Sequence, residues 1–278
     1  MDPPAVLRTV SCHLSLDVRS PLELYLAVAV ADGSYDRTEQ LVVRHEDGPL
    51  DVLEIKSGHG GRSHRVHVPA GRVVVDYHAT VSGRSGPPPV DDLDLVEYRR
   101  PSRYVQSDRL LAFARDQFRG LAGAELVDAV VGWVASHVRY VPGASQPTDG
   151  ATETLLARRG VCRDFAHLVV ALLRACDTPA RLASVYAPRL RPMDFHAVAE
   201  AYVDGAWHVL DATRLAPRDT MLRIATGRDA TDTAFLSYYG GDLSLRAMTV
   251  TASVTPSSDE AGAAQATSDD GTGLRTLR

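Results

Sequence analysis

The chain has 278 residues, 45% hydrophobic and 23% charged, enough apolar material for one large domain or two ordinary ones with packed cores. Its formal net charge of −5 gives no electrostatic footprint for nucleic acid or an anionic membrane surface. Three cysteines, Cys12, Cys162 and Cys176, are too sparse and odd a set for a disulfide framework, and none forms a Cys/His cluster with zinc spacing. The stretch MDPPAVLRTV lacks a signal-peptide pattern and no apolar run reaches membrane-spanning length. The expected compartment is therefore a reducing cytoplasm, where a thiol stays free.

The first part reads as β. In VSCHLSLDV the apolar residues Val10, Cys12, Leu14, Leu16 and Val18 alternate with polar ones, the pattern of a half-buried strand. LELYLAVAV, LVVRH, HRVHV and RVVVDYHATV follow, separated by Gly, Asp and Pro, which predicts an antiparallel sandwich over residues 1–95. Cys12 falls on the apolar face and is expected in the core. SGRSGPPPVDDLD, residues 82–94, reads as a linker, because three consecutive prolines cannot join a central strand.

Beyond it the period lengthens. Ser107 is placed to cap a helix through DRLLAFARDQF. A second helix carries Val127, Val130, Val131, Val134 and Val138 on one stripe, and YVPGASQPTDG forms a loop. A third helix covers roughly 162–175, and strands return from about 182 to complete a unit over 96–250. Residues 251–278 are small, polar and poor in large apolar side chains, the composition of a disordered tail.

In the third helix Phe165, Leu168, Val169, Leu172 and Leu173 make a buried face, and Cys162 and Cys176 lie on the same stripe. Cys176 reads as packing. Cys162 sits in the first turn, just after Gly160, where unpaired backbone N–H groups and the helix dipole favour an anion such as a thiolate. The same N–H groups suit a developing oxyanion. A reactive cysteine there still needs a base.

One of the ten histidines supplies it. DFHAVAEAYVDGAWHVLDAT, residues 194–213, reads as two strands around an Asp204-Gly205 turn. A two-residue loop pairs Val203 with Ala206 and sets Val198 opposite Asp211. His196 and Asp211 then share a face as diagonal neighbours, roughly 7 Å apart at Cβ. His196 can take a thiol proton, and Asp211 can fix the imidazole and favour its charged form. His167, five residues along the helix, faces away from Cys162, and His208 alternates to the wrong side of its strand.

The segments GVCRDFAHL, TPARLASVYAP and DFHAVAEAYVDGAWHVLDATRLAP resemble the core of the transglutaminase-like superfamily, in which Cys, His and Asp occur in this order. The first half resembles the β domain that precedes the core in bacterial members, and RPSRYVQSDRL resembles the junction. The resemblance implies an α+β fold, a papain-like core of helices packed on an antiparallel sheet, with Cys162, His196 and Asp211 as a triad. It also implies acyl transfer through a thioester on a peptide or protein substrate, while the charge gives no reason to expect a nucleic acid or membrane partner. Asp177 and Thr178 stand where the family often has Gly-Ile, and Ala212 where proline is common; none belongs to the triad. No EF-hand loop or dense carboxylate cluster supports carrying over calcium, and no cofactor is implied. Gln146 and Tyr140 are candidates for the second oxyanion donor. The leading expectation is a hydrolase, a protease or amidase, because water is always at hand. True glutamine transamidation, arylamine acetyl transfer and a non-catalytic binding module are the alternatives.

Overall fold

Long alternating strands build the first half of the molecule. The computed structural model describes residues 6–255 and 273–277. β1 (Leu7–Ser20) buries Val10, Cys12, Leu14, Leu16 and Val18, as its alternation requires. β2 (Leu22–Leu26) ends early, because Ala27–Ala31 run on as buried irregular chain. β3 (Asp36–His45), β4 (Gly48–Pro49), β5 (Leu53–Lys56), β6 (Arg62–Val68) and β7 (Gly71–Ser82) follow.

The proline run has no regular structure, but α1 (Asp92–Glu97) begins inside the segment read as linker, with Asp91 accepting from Leu93 N–H at 2.9 Å. Then come α2 (Leu111–Gln117), α3 (Gly123–His137), β8 (Arg139–Tyr140), α4 (Ala151–Ala157), β9 (Arg159–Gly160) and α5 (Cys162–Ala175). Ser107 does not cap α2. It is buried in the preceding turn, and the helix starts at Leu111. The chain closes through β10 (Ala180–Tyr186), β11 (His196–Val203), β12 (Ala206–Leu210), β13 (Leu222–Gly227), α6 (Ala230–Thr233), β14 (Leu236–Tyr239) and β15 (Asp242–Thr255).

Two antiparallel sheets, ordered β15-β1-β7-β3-β4 and β14-β2-β6-β5, face each other across one apolar core. Val10, Leu14, Val73 and Val75 enter it from one sheet, Leu24, Leu26 and Val66 from the other. The third sheet, β12-β11-β10-β13, is antiparallel and carries the helices on one side. Leu168, Val169, Leu172 and Leu173 of α5 bury against Ala199, Ala201 and Leu210 of the sheet and Val130 and Val134 of α3. Each such leucine contributes roughly 1.5–3 kcal/mol by leaving water. The expected combination of β-sandwich and papain-like core is therefore what forms.

The chain does not divide at residue 250. β14 pairs with β2 and β15 with β1, so residues 236–255 hydrogen-bond into the sandwich sheets. Tyr186, Leu222 and Ile224 of the third sheet join the sandwich core as well. The expectation of a tail without structure over 251–278 is corrected at two places. Residues 251–255 finish β15. Residues 273–277 lie along β12: Val209 N–H donates to the Arg275 carbonyl at 2.6 Å, and Leu277 buries beside Val209 and Met221. The rest of that segment, 256–272 and 278, lies outside the described residues.

Candidate active site

Cys162 is the first residue of α5 and is half-buried. The turn before it is held from inside the helix. Asp164, fully buried, accepts from Val161 N–H at 2.8 Å, one arm of a capping box. Its other oxygen accepts from Arg163 Nη2 at 2.9 Å, and Arg163 Nη2 also reaches the Gln146 carbonyl at 2.8 Å. The loop before α4 is thereby tied to the cysteine turn. Gly160 is needed for close approach, since a Cβ there would stand 2.6 Å from the Asp164 side chain.

Tyr140 arrives from the other side of this turn. β8 and β9 pair in parallel, with Tyr140 opposite Gly160. The Tyr140 hydroxyl accepts from the Cys162 N–H, and burial, with Cys162, Asp194 and Asp211 nearby, pushes its pKa up to about 12. It therefore stays a hydroxyl, with its own proton left to donate. Gln146 is exposed, and its hydrogen bonds run through its backbone.

The hairpin register is the one the Asp-Gly turn requires. Val203 pairs with Ala206 and Ala199 with Leu210, and Asp204 and Gly205 have φ of 51° and 83°. His196 and Asp211 meet with Nε2 to Oδ2 at 2.8 Å, both buried. Thr213 donates its N–H and its hydroxyl to Asp211 Oδ1, at 3.0 and 2.6 Å, so the carboxylate is held at both oxygens. With Nε2 engaged by Asp211, Nδ1 is left for the Cys162 thiol, which hydrogen-bonds the ring. Burial works against charge on His196, but Asp211 and then Cys162 overcome it and push the pKa up to about 10. Burial likewise works against the Asp211 carboxylate, and His196 and Thr213 hold its pKa below the usual value.

The structure thus brings Cys162, His196, Asp211 and Tyr140 together. His167 is fully buried, accepts from Ala230 N–H and stacks on Tyr104, and His208 bonds the Val203 carbonyl. Cys12 is a core residue whose thiol burial pushes up to about 11. Sequence reasoning missed Asp194, whose charge lies near Tyr140 and His196, and the Thr213 clamp. Thr213 is legible two residues after Asp211, the spacing of an Asx-type turn. Asp194, whose pKa burial raises, carries no comparable signal.

A helix-borne cysteine facing a histidine–aspartate pair on an antiparallel sheet defines a papain-like cysteine enzyme fold. The chain belongs to the transglutaminase-like superfamily, whose family model matches residues 112–212. It is 32% identical to a candidate cysteine protease from Cytophaga hutchinsonii of known crystal structure, with 92% of each chain covered and a TM-score of 0.83. The uncharacterised protein ML0607 of Mycobacterium leprae is 27% identical over 147 residues, 50% of this chain. The chain spans about half the length of that curated relative, 53% of it. The periplasmic domain of TgpA from Pseudomonas aeruginosa aligns at 15% identity over 77% of this chain and 92% of that one, with a TM-score of 0.40.

Proposed function

We propose that the protein is a cysteine acyl-transfer enzyme that hydrolyses peptide or glutamine-type amide bonds in a peptide or protein substrate, using Cys162, His196 and Asp211. The observation that carries this reading is the buried His196–Asp211 pair, 2.8 Å apart, whose remaining ring nitrogen is turned to a thiol at a helix start. A buried histidine kept as a merely structural group is ordinarily neutral, since burial penalises its charge. Here Asp211 makes the imidazolium the favoured form, which is what a thiolate partner and a leaving-group acid require.

In this reading His196 Nδ1 takes the Cys162 proton and the thiolate adds to the carbonyl carbon. The carbonyl electron pair moves to oxygen, which accepts the proton of the Tyr140 hydroxyl, itself oriented by the Cys162 N–H. The oxyanion collapses, the C–N bond breaks, and the leaving nitrogen takes the proton from His196. A free amine departs and a thioester remains. Water adds next, giving a proton to His196. Collapse then expels the thiolate, which recovers that proton. Asp211 keeps the ring oriented through both halves without exchanging a proton itself.

The test is a mixed peptide library with and without a small primary amine, read by mass spectrometry. Cleaved backbones or deamidated glutamines, indifferent to the amine and absent with Cys162→Ala, are expected. Amine adducts on glutamine would replace hydrolysis by transamidation. Full turnover by a folded Cys162→Ala protein would overturn the assignment.

A further inference from the structure

β12 is the outermost strand of the third sheet, with β11 as its neighbour on one side. Asp211 follows its last residue, Leu210. A strand held on one side opens more readily than one held on both, so whatever braces the outer edge of β12 also steadies Asp211. The hairpin decides which groups need a partner there. With a two-residue turn, Val203 with Ala206 and Ala201 with His208 exchange hydrogen bonds, and Trp207 and Val209 turn their N–H and C=O outward.

Residues 273–277 meet Val209 at this edge. The Val209 N–H donates to the Arg275 carbonyl at 2.6 Å. The Val209 carbonyl accepts from Arg218 Nη1 at 3.0 Å, and the same nitrogen donates to the Gly273 carbonyl at 3.1 Å. Arg218, 1% exposed, thus bolts the segment to the strand from the turn Arg218–Thr220. On the helix side, Gly273 N–H donates to Asp128 Oδ1 of α3 at 3.1 Å, and Leu274 packs on the core between helices and sheet. On the opposite face Leu277 buries among Val209, Ala216 and Met221. The two leucines therefore clasp both faces of the sheet edge. They are also the only large apolar side chains in the sequence from 256 to 278. Small and polar residues leading to two docked leucines have the composition of a tether that carries a docking sequence.

We propose that residues 273–277 are a positioning strap for the catalytic aspartate: the outer edge of β12 is a docking groove for an extended Leu-x-x-Leu segment, and its occupant, the end of this chain, holds the strand that delivers Asp211 to His196. The inference rests on the role given to Asp211 in the proposed function. The strap touches β12, α3 and the turn at Arg218, and it acts through Asp211. Its loss therefore lowers kcat and leaves KM nearly unchanged. Joined to β15 through residues 256–272, the segment is held at an effective concentration on the order of millimolar, so weak contacts suffice within one chain.

The test uses the full chain carrying Leu277→Asp, which places a charge in the buried seat. Amide exchange and imidazole titration are followed by NMR. Neither readout needs turnover, so failure here is distinguishable from failure of the proposed chemistry. The Val209 amide should lose protection about tenfold or more, while that of His208, bonded to β11, is kept. The His196 pKa should fall by about one unit, and kcat about tenfold with KM unchanged. An acetylated peptide of residues 271–278 at roughly millimolar concentration should restore all three, and the same peptide with both leucines replaced by serine should restore none. Leu277→Ala, which removes only the buried side chain, serves should the aspartate variant fail to fold. Unchanged Val209 protection in the folded variant would overturn the proposal. So would lost protection with an unmoved imidazole pKa or an unchanged kcat, absence of rescue by the leucine peptide, or equal rescue by the serine peptide.

Discussion

Asp211→Asn tests the core of the chemistry with the smallest change in shape. Asp211 Oδ1 receives two donors from Thr213, its N–H and its hydroxyl, so an asparagine must place its carbonyl oxygen there. Its amide nitrogen then occupies the Oδ2 position, 2.8 Å from His196 Nε2, and donates to it. The ring is forced into the Nδ1–H tautomer, with a proton rather than a lone pair facing Cys162. The charge that supports the imidazolium is lost as well. A fall in the His196 pKa from about 10 to the ordinary 6.5 is a loss of about 5 kcal/mol of preference for the charged ring, at about 1.36 kcal/mol per unit. The same substitution in a serine-protease triad lowers kcat about 10⁴-fold, and a loss of about 10³–10⁴ is expected here. The assay is peptide hydrolysis against pH, with the imidazole followed by NMR titration. A folded Asp211→Asn protein with rates within about tenfold of wild type, or an unmoved imidazole pKa, would refute the reasoning.

Three further outcomes follow from the same geometry. The folded-state pKa of His196 is raised from 6.5 to about 10, so its contribution to stability should be fully present below about pH 6.5 and disappear as pH rises through about 10. Melting temperature against pH should show that loss in wild type and much less of it in His196→Gln. Tyr140→Phe should lower kcat about 10²-fold with little change in KM, if its hydroxyl meets the oxyanion; steady-state kinetics reads the split. Gly160→Ala should cost roughly 1–3 kcal/mol in denaturant unfolding, because its methyl must displace the Asp164 side chain. It should also lower activity by more than it lowers stability, since Asp164 sets the Cys162 turn.

What the sequence disclosed and what it hid divides by distance along the chain. The hairpin was legible because Asp204-Gly205 selects one turn, and the turn fixes the parity of every residue from His196 to Asp211. The cysteine helix was legible from its apolar stripe. α1 and α4 were missed because each is short and follows residues that read as loop. Ser107 offered a correct capping side chain, but tertiary packing buried it and started α2 later. The destination of β14 and β15 was hidden for a different reason. Alternation identifies a strand but not its partner, and these two pair with strands more than 200 residues away. Tyr140 was a candidate by position alone until the β8–β9 ladder set it against Gly160.

That long-range pairing has a consequence for how the molecule is made. β1 is synthesised more than 200 residues before β15, one of its two neighbours. Until then β1 and β2 each present an unpaired edge, the kind of edge that recruits other chains. The sandwich cannot be finished cotranslationally as a first unit, and closing so long a loop makes its completion a slow, late event. A fragment ending near residue 95 would lack a strand from each sheet and should aggregate. The nascent chain needs shielding along β1 and β2 throughout the synthesis of the catalytic half, so chaperone demand should fall on the early part of the chain, not on the active site.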